Sequence, residues 1–98
     1  MPDLIWSPTS RLDPADIDAY LSERDPAEAV RILRAIQSAA SRLSKYPRLG
    51  WSVNERFRVI SVRQTSFLIL YRLREDRVEI VRIRHGREDW YGAIEAEL

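Results

Sequence analysis

Three strand-like runs in the second half of the chain constrain its fold more than any other feature: Phe57 to Val62, Phe67 to Leu73 and Val78 to Arg84. Each has strand length and is rich in β-branched and aromatic residues. The links between them, Gln64-Thr65-Ser66 and Arg74-Glu75-Asp76-Arg77, are hairpin-sized. A parallel crossover needs about a dozen residues or more, so the three runs are expected to form an antiparallel meander. Phe67-Leu68-Ile69-Leu70-Tyr71 is apolar on both faces, which places it in the middle of the sheet. In the last run simple alternation puts Val78, Ile80, Arg82 and Arg84 on one face and Glu79, Val81, Ile83 and His85 on the other.

Two helix starts of one design precede the meander, Asp13-Pro14-Ala15-Asp16 and Asp25-Pro26-Ala27-Glu28. In each, the first Asp is expected to cap free backbone N–H groups, with Pro at the first helical position. The acid in the first turn suits the positive end of the helix dipole. The first helix is expected to run to about Glu23, with Ile17, Tyr20 and Leu21 inward. The second should run from Pro26 to about Tyr46, with Ala29, Leu33, Ile36, Ala40 and Leu43 on one stripe. The short link from Ser22 to Asp25 makes the pair an antiparallel hairpin. Leu4-Ile5-Trp6 reads as a short first strand. The expectation is an α+β fold of order β-α-α-β-β-β, with the helix hairpin on one face of a mainly antiparallel sheet and the other face partly open.

The chain has 98 residues, which suits one domain over 1–98 ending in a tail at 91–98. It has no cysteine and one histidine, His85, so no metal site is expected, and no cofactor either. No apolar run approaches the roughly 20 residues that span a bilayer, and no secretory leader is evident, so a cytoplasmic protein is expected. The net charge of +1 conceals an uneven distribution. Between Arg56 and Arg87 nine arginines stand against Glu75, Asp76 and Glu79, an excess of six cations, and Lys45 is the only lysine. Guanidinium groups suit carboxylates and phosphates alike, so this segment faces RNA, DNA or an acidic protein segment, or is a solvated sheet face.

Several stretches in sequence order resemble one known family. These are Ile5-Trp6-Ser7-Pro8, Tyr20-Leu21 before Asp25-Pro26, Leu43 with Tyr46-Pro47-Arg48-Leu49-Gly50, Arg58-Val59-Ile60, Leu70-Tyr71-Arg72, and Val81 through Trp90 with its His85-Gly86-Arg87-Glu88-Asp89-Trp90 ending. Together, over residues 4 to 90, they resemble the toxins of the ParE/RelE superfamily, and the ParE branch in particular. The resemblance implies the toxin of a type II toxin–antitoxin module, neutralised by a cognate ParD-like or similar antitoxin. It implies DNA contact only through that antitoxin, no membrane, and DNA gyrase as the target. The alternative within the superfamily is a RelE-like ribosome-dependent mRNA endonuclease, and fold alone does not choose between them.

The residues offer candidates for both. A nuclease needs proton transfer and cations around the phosphate, for which Arg63, Arg84 and His85 are the candidates, although a lone histidine beside Val81 and Ile83 is more often structural. RelE-like enzymes tend to be strongly basic and lysine-using, unlike this chain, so no catalytic residue is assigned. An inhibitor needs exposed aromatic and arginine anchors, for which Arg87 and Trp90 stand first and Trp51 next. Trp90 has the alternative role of covering the core's open end. Arg31, Arg34, Arg58 and Arg82 are the candidate antitoxin contacts, and the helix-hairpin groove suits an apolar helix. Trp6, Tyr20 and Phe67 are expected in the core.

Overall fold

A computed structural model describes residues 3–92. Its order is β1 (Asp3–Trp6), α1 (Asp13–Ser22), α2 (Pro26–Lys45), β2 (Trp51–Ser52), β3 (Arg58–Ser61), β4 (Phe67–Arg74) and β5 (Arg77–His85). The strands form one sheet in the order β1-β5-β4-β3-β2, with β4 central as its two apolar faces require. β3, β4 and β5 make the expected antiparallel meander. β1 lies parallel to β5 in a register that runs from Asp3 opposite Arg77 to Trp6 opposite Ile80. The one added element is β2, a two-residue strand pairing Trp51 with Val59 and Ser52 with Arg58, in a stretch expected to be loop. The tail expected at 91–98 lies mostly outside the described residues.

The helix hairpin packs on one sheet face. Ile32, Ile36, Ala39, Ala40 and Leu43 of α2 meet Ile60, Val62, Ile69, Tyr71, Val78, Ile80 and Ile83, with Leu4, Trp6, Ile17 and Leu21 at the margin. Full burial of a side chain such as Ile36 or Leu43 contributes about 2 kcal/mol. The α2 stripe is shifted from expectation: Ile32 is buried and Leu33 is only half-buried. Asp25 caps α2 as expected, its carboxylate accepting from the Glu28 N–H at 3.2 Å.

Four further expectations are corrected. Tyr20 is exposed, lying against the Arg24 guanidinium at 3.9 Å rather than in the core. Phe67 is half-buried at the core margin, edge-on to His85. Simple alternation fails in β5, because the register with β4 shifts between Leu70 (opposite Arg82) and Tyr71 (opposite Ile80). Val81 is the extra residue of this bulge, so Ile83, and not Arg82 or Arg84, shares the helix-side core with Val78 and Ile80. Finally, the second sheet face, expected to be partly open, is more covered than that: Phe57, Val59, Leu68, Leu70 and Val81 form a second buried cluster, with Val53 and Trp90 packed against it.

Candidate functional site: a charged groove beside the free end of β5

β1 stops at Trp6, opposite Ile80, so the outer edge of β5 would be bare from Val81 onward. Three polar side chains cover it instead. The Ser7 backbone N–H donates to the Ile80 carbonyl at 2.9 Å, and the Ser7 hydroxyl donates to the Val81 carbonyl at 3.1 Å. Asp13 comes next. Its Oδ2 accepts the Ile83 backbone N–H at 2.8 Å and Arg82 Nε at 3.0 Å, and its Oδ1 accepts Arg82 Nη2 at 3.1 Å. Last, Glu88 Oε1 accepts the His85 N–H at 3.0 Å. An unpaired strand edge templates association with other chains, and this one is closed by its own side chains.

The expectation that Asp13 caps α1 is thereby overturned. The helix begins at Asp13 itself, with Leu12 at the cap position and no capping side chain. The cause lies upstream. Ser10 is fully buried, its hydroxyl donating to the Ser7 carbonyl at 2.9 Å, and this tight turn delivers Asp13 to β5 with its carboxylate facing the strand. The pairing spans 69 residues of sequence, and nothing local announces it.

Beside this edge lies a groove of about 900 Å³ between the open end of the helix hairpin, the turn at Gln64-Thr65-Ser66 and the end of β5. Its floor includes Ile17, Leu21, Ile32, Phe67 and Ile83, and its rim carries Asp13, Asp16, Glu28, Arg31, Arg82, Arg84, His85, Arg87 and Glu88. Most of this charge is paired within the protein. Arg31 clasps Glu28 and also reaches the Gln64 carbonyl at 2.9 Å. The hydrogen bond from Arg31 holds the Glu28 carboxyl below the usual carboxylate range, and Glu28 raises Arg31 in return. Arg84 faces Glu88 at 3.7 Å. His85 accepts the Arg87 backbone N–H on Nδ1 at 3.1 Å, which places the proton of the neutral ring on Nε2.

The groove thus gathers Arg31, Arg82, Arg84, His85 and Arg87. Other candidates lie elsewhere. Arg63 is exposed where β3 turns into β4, and Arg34 is exposed on α2. Arg58 is turned toward the opposite end of α2, its Nη2 donating to the carbonyls of Arg48 at 3.1 Å and Gly50 at 2.6 Å. Trp90 is half-buried against the second cluster, edge-on to Tyr91. Among the described residues no group of three or more His, Cys, Asp or Glu is arranged to hold a metal ion, and no helix is long and apolar enough to cross a membrane.

The family described as the ParE toxin of the type II toxin–antitoxin system parDE matches residues 4–90. The chain belongs to the ParE toxin family. This ParE/RelE-type toxin is 38% identical over 71 residues to Toxin RelE1 of Caulobacter vibrioides, covering 70% of this chain and 76% of the relative. It is 32% identical over 81 residues to a putative toxin, Y4kP, of Sinorhizobium fredii, covering 82% and 81% respectively. With Toxin RelE3 of Caulobacter vibrioides the identity is 34% over 83 residues, covering 83% and 90%. In fold, the toxin is similar to a chain of a chromosomal ParDE toxin–antitoxin system from P. aeruginosa, with a TM-score of 0.77 at 19% identity, covering 87% of this chain and 96% of that one. The sheet, the helix hairpin and their order agree with the α+β expectation.

Proposed function

We propose that this toxin is neutralised by an antitoxin seated in the β5 groove, and that it arrests growth by binding DNA gyrase directly, without cutting RNA. One observation carries the second half. The one imidazole that a ribonuclease would use is already committed to neighbours, and so is Arg82. His85 uses Nδ1 on a backbone N–H and packs edge-on against Phe67 at 5.3 Å, and Arg82 is held by Asp13, while Arg84 meets Glu88 only at 3.7 Å. General acid–base cleavage needs one group to take a proton and another to give one. Here a single imidazole serves as a strand-end fixture, and Arg63 lies apart from it. The parDE description of the matching family supports the same reading.

The groove suits an amphipathic antitoxin segment. Its apolar floor takes the segment's apolar face, and Arg31, whose exposed pair with Glu28 exchanges readily, meets its acids at the rim, while Arg82 stays bound to Asp13. Arg34 extends that rim along α2. Arg87 is exposed and its guanidinium has no ion-pair partner among the described residues, which leaves it available to a partner protein. Trp90 supports the second sheet face, so its share in target binding is indirect. The second reading, an mRNA endonuclease, is favoured by the gathering of Arg84, His85 and Arg87 at one groove and by the RelE names of two relatives.

The experiment is gyrase supercoiling of relaxed plasmid by purified toxin, alongside ribosome-dependent mRNA cleavage. His85→Gln keeps a ring-sized polar side chain at the strand end. It is expected to inhibit gyrase and to arrest growth within about twofold of wild type. An endonuclease that uses His85 would instead lose on the order of 100-fold or more.

A further inference from the structure

Seven large apolar side chains are exposed among the described residues, and three of them, Tyr46 (60%), Leu49 (43%) and Trp51 (50%), fall within six consecutive residues at the exit of α2. The loop that carries them is built, not loose. The buried Tyr71 hydroxyl accepts the Gly50 N–H at 2.9 Å and donates to the Pro47 carbonyl at 2.9 Å. Arg58 donates to the carbonyls of Arg48 and Gly50. Backbone polar groups are therefore drawn inward around Tyr71, and the large apolar side chains are left outside. A fold that fixes a loop this firmly while exposing a tryptophan and a tyrosine presents a surface of interface composition.

The charge along this stretch of chain is mainly positive, although Arg48 also lines a pocket with Glu75, Asp76 and Arg77. From residue 42 to residue 58 the cations are Arg42, Lys45, Arg48, Arg56 and Arg58, and the one acid is Glu55. Arg58 is turned inward, and the other four cations are exposed. Trp51 also belongs to β2, the terminal strand of the sheet, which has no strand beyond it among the described residues. An open strand edge recognises polypeptide rather than nucleic acid.

We propose that the Tyr46–Leu49–Trp51 surface is the contact through which the toxin holds its target protein, taking an acidic amphipathic segment of that target. This rests on the gyrase reading and adds to it the surface and the chemistry of the segment it takes. The surface is separate from the antitoxin groove: α2 reaches the groove at Ile32 and the patch at Tyr46, 14 residues on, or about 20 Å along the helix. The two sites are therefore separable by mutation.

The test uses three purified proteins: wild type, the double variant Tyr46→Ser/Trp51→Ser, and Arg48→Glu. Each is assayed for thermal unfolding, capture by the antitoxin, and inhibition of gyrase holoenzyme. All three are expected to unfold at similar temperatures and to bind the antitoxin alike. The double variant is expected to need at least about tenfold more protein for half-inhibition. Arg48→Glu should show a smaller loss that shrinks as salt is raised. If wild type inhibits gyrase and both folded variants do so equally well, the surface is wrong and the gyrase reading stands. If folded wild type does not inhibit gyrase, the gyrase reading falls, and the assignment of this surface falls with it.

Discussion

Asp13→Ala is expected to lower stability by about 3 kcal/mol, from the loss of a buried, doubly bonded carboxylate. The side chain is only 7% exposed, and its removal takes away the acceptor of the Ile83 N–H in the middle of the outer edge of β5 and a charge partner of the Arg82 guanidinium, itself 19% exposed. In a domain of this size that corresponds to a drop in Tm of roughly 12–24 °C. Asp13→Asn keeps an oxygen for the Ile83 N–H but forfeits the charge facing Arg82, so it should fall between wild type and alanine. Thermal unfolding followed by circular dichroism measures all three. Equal stability of Asp13→Ala and wild type would show that α1 is not anchored to β5 through this carboxylate.

Gly50→Ala is expected to cost about 3 kcal/mol, the upper end of the usual range for overpacking. The reason is distance, since Gly50 does not adopt a positive φ. A Cβ placed there would meet the Val59 carbonyl oxygen at 2.4 Å and the Tyr71 hydroxyl at 2.8 Å. The first is backbone of β3 and the second a fully buried ring, so neither yields without moving β2 away from the sheet. Tyr71→Phe removes only the hydroxyl that links Gly50 to Pro47, and should cost about 1–2 kcal/mol through two unsatisfied backbone groups. Urea titration ranks the two variants. A Gly50→Ala protein as stable as wild type would mean that the α2 exit is not pressed against β3.

What could be read from the sequence divides along physical lines. The meander was legible because short links forbid any other pairing, and the centrality of β4 because both of its faces are apolar. α2 was legible from Asp25-Pro26 at one end and Pro47 at the other. The bulge at Val81 was not, since no glycine or proline marks it, and simple alternation therefore put Arg82 and Arg84 on the same face as Val78 and Ile80. Tyr20 was misjudged because its apolar ring sits at a helical spacing from Ile17, although the groove side of α1 has nothing to bury it. Asp13 and Asp25 open with the same tripeptide yet differ in role, because the Ser7–Ser10 turn delivers one of them to a strand 69 residues away. The groove's arginines and His85 were visible as a basic segment. That Arg82, Arg31 and Arg84 face Asp13, Glu28 and Glu88 is a property of the folded chain.

The central claim is that this toxin acts by occupying its target and not by turning over a substrate. It is tested most directly by titrating the purified, folded toxin into a gyrase supercoiling reaction on relaxed plasmid, with a ribosome-programmed mRNA cleavage reaction run from the same preparation. The account predicts inhibition that saturates once toxin and gyrase are near stoichiometric, reversal by the antitoxin, and intact mRNA. Undiminished supercoiling together with cleaved mRNA at substoichiometric toxin would contradict it.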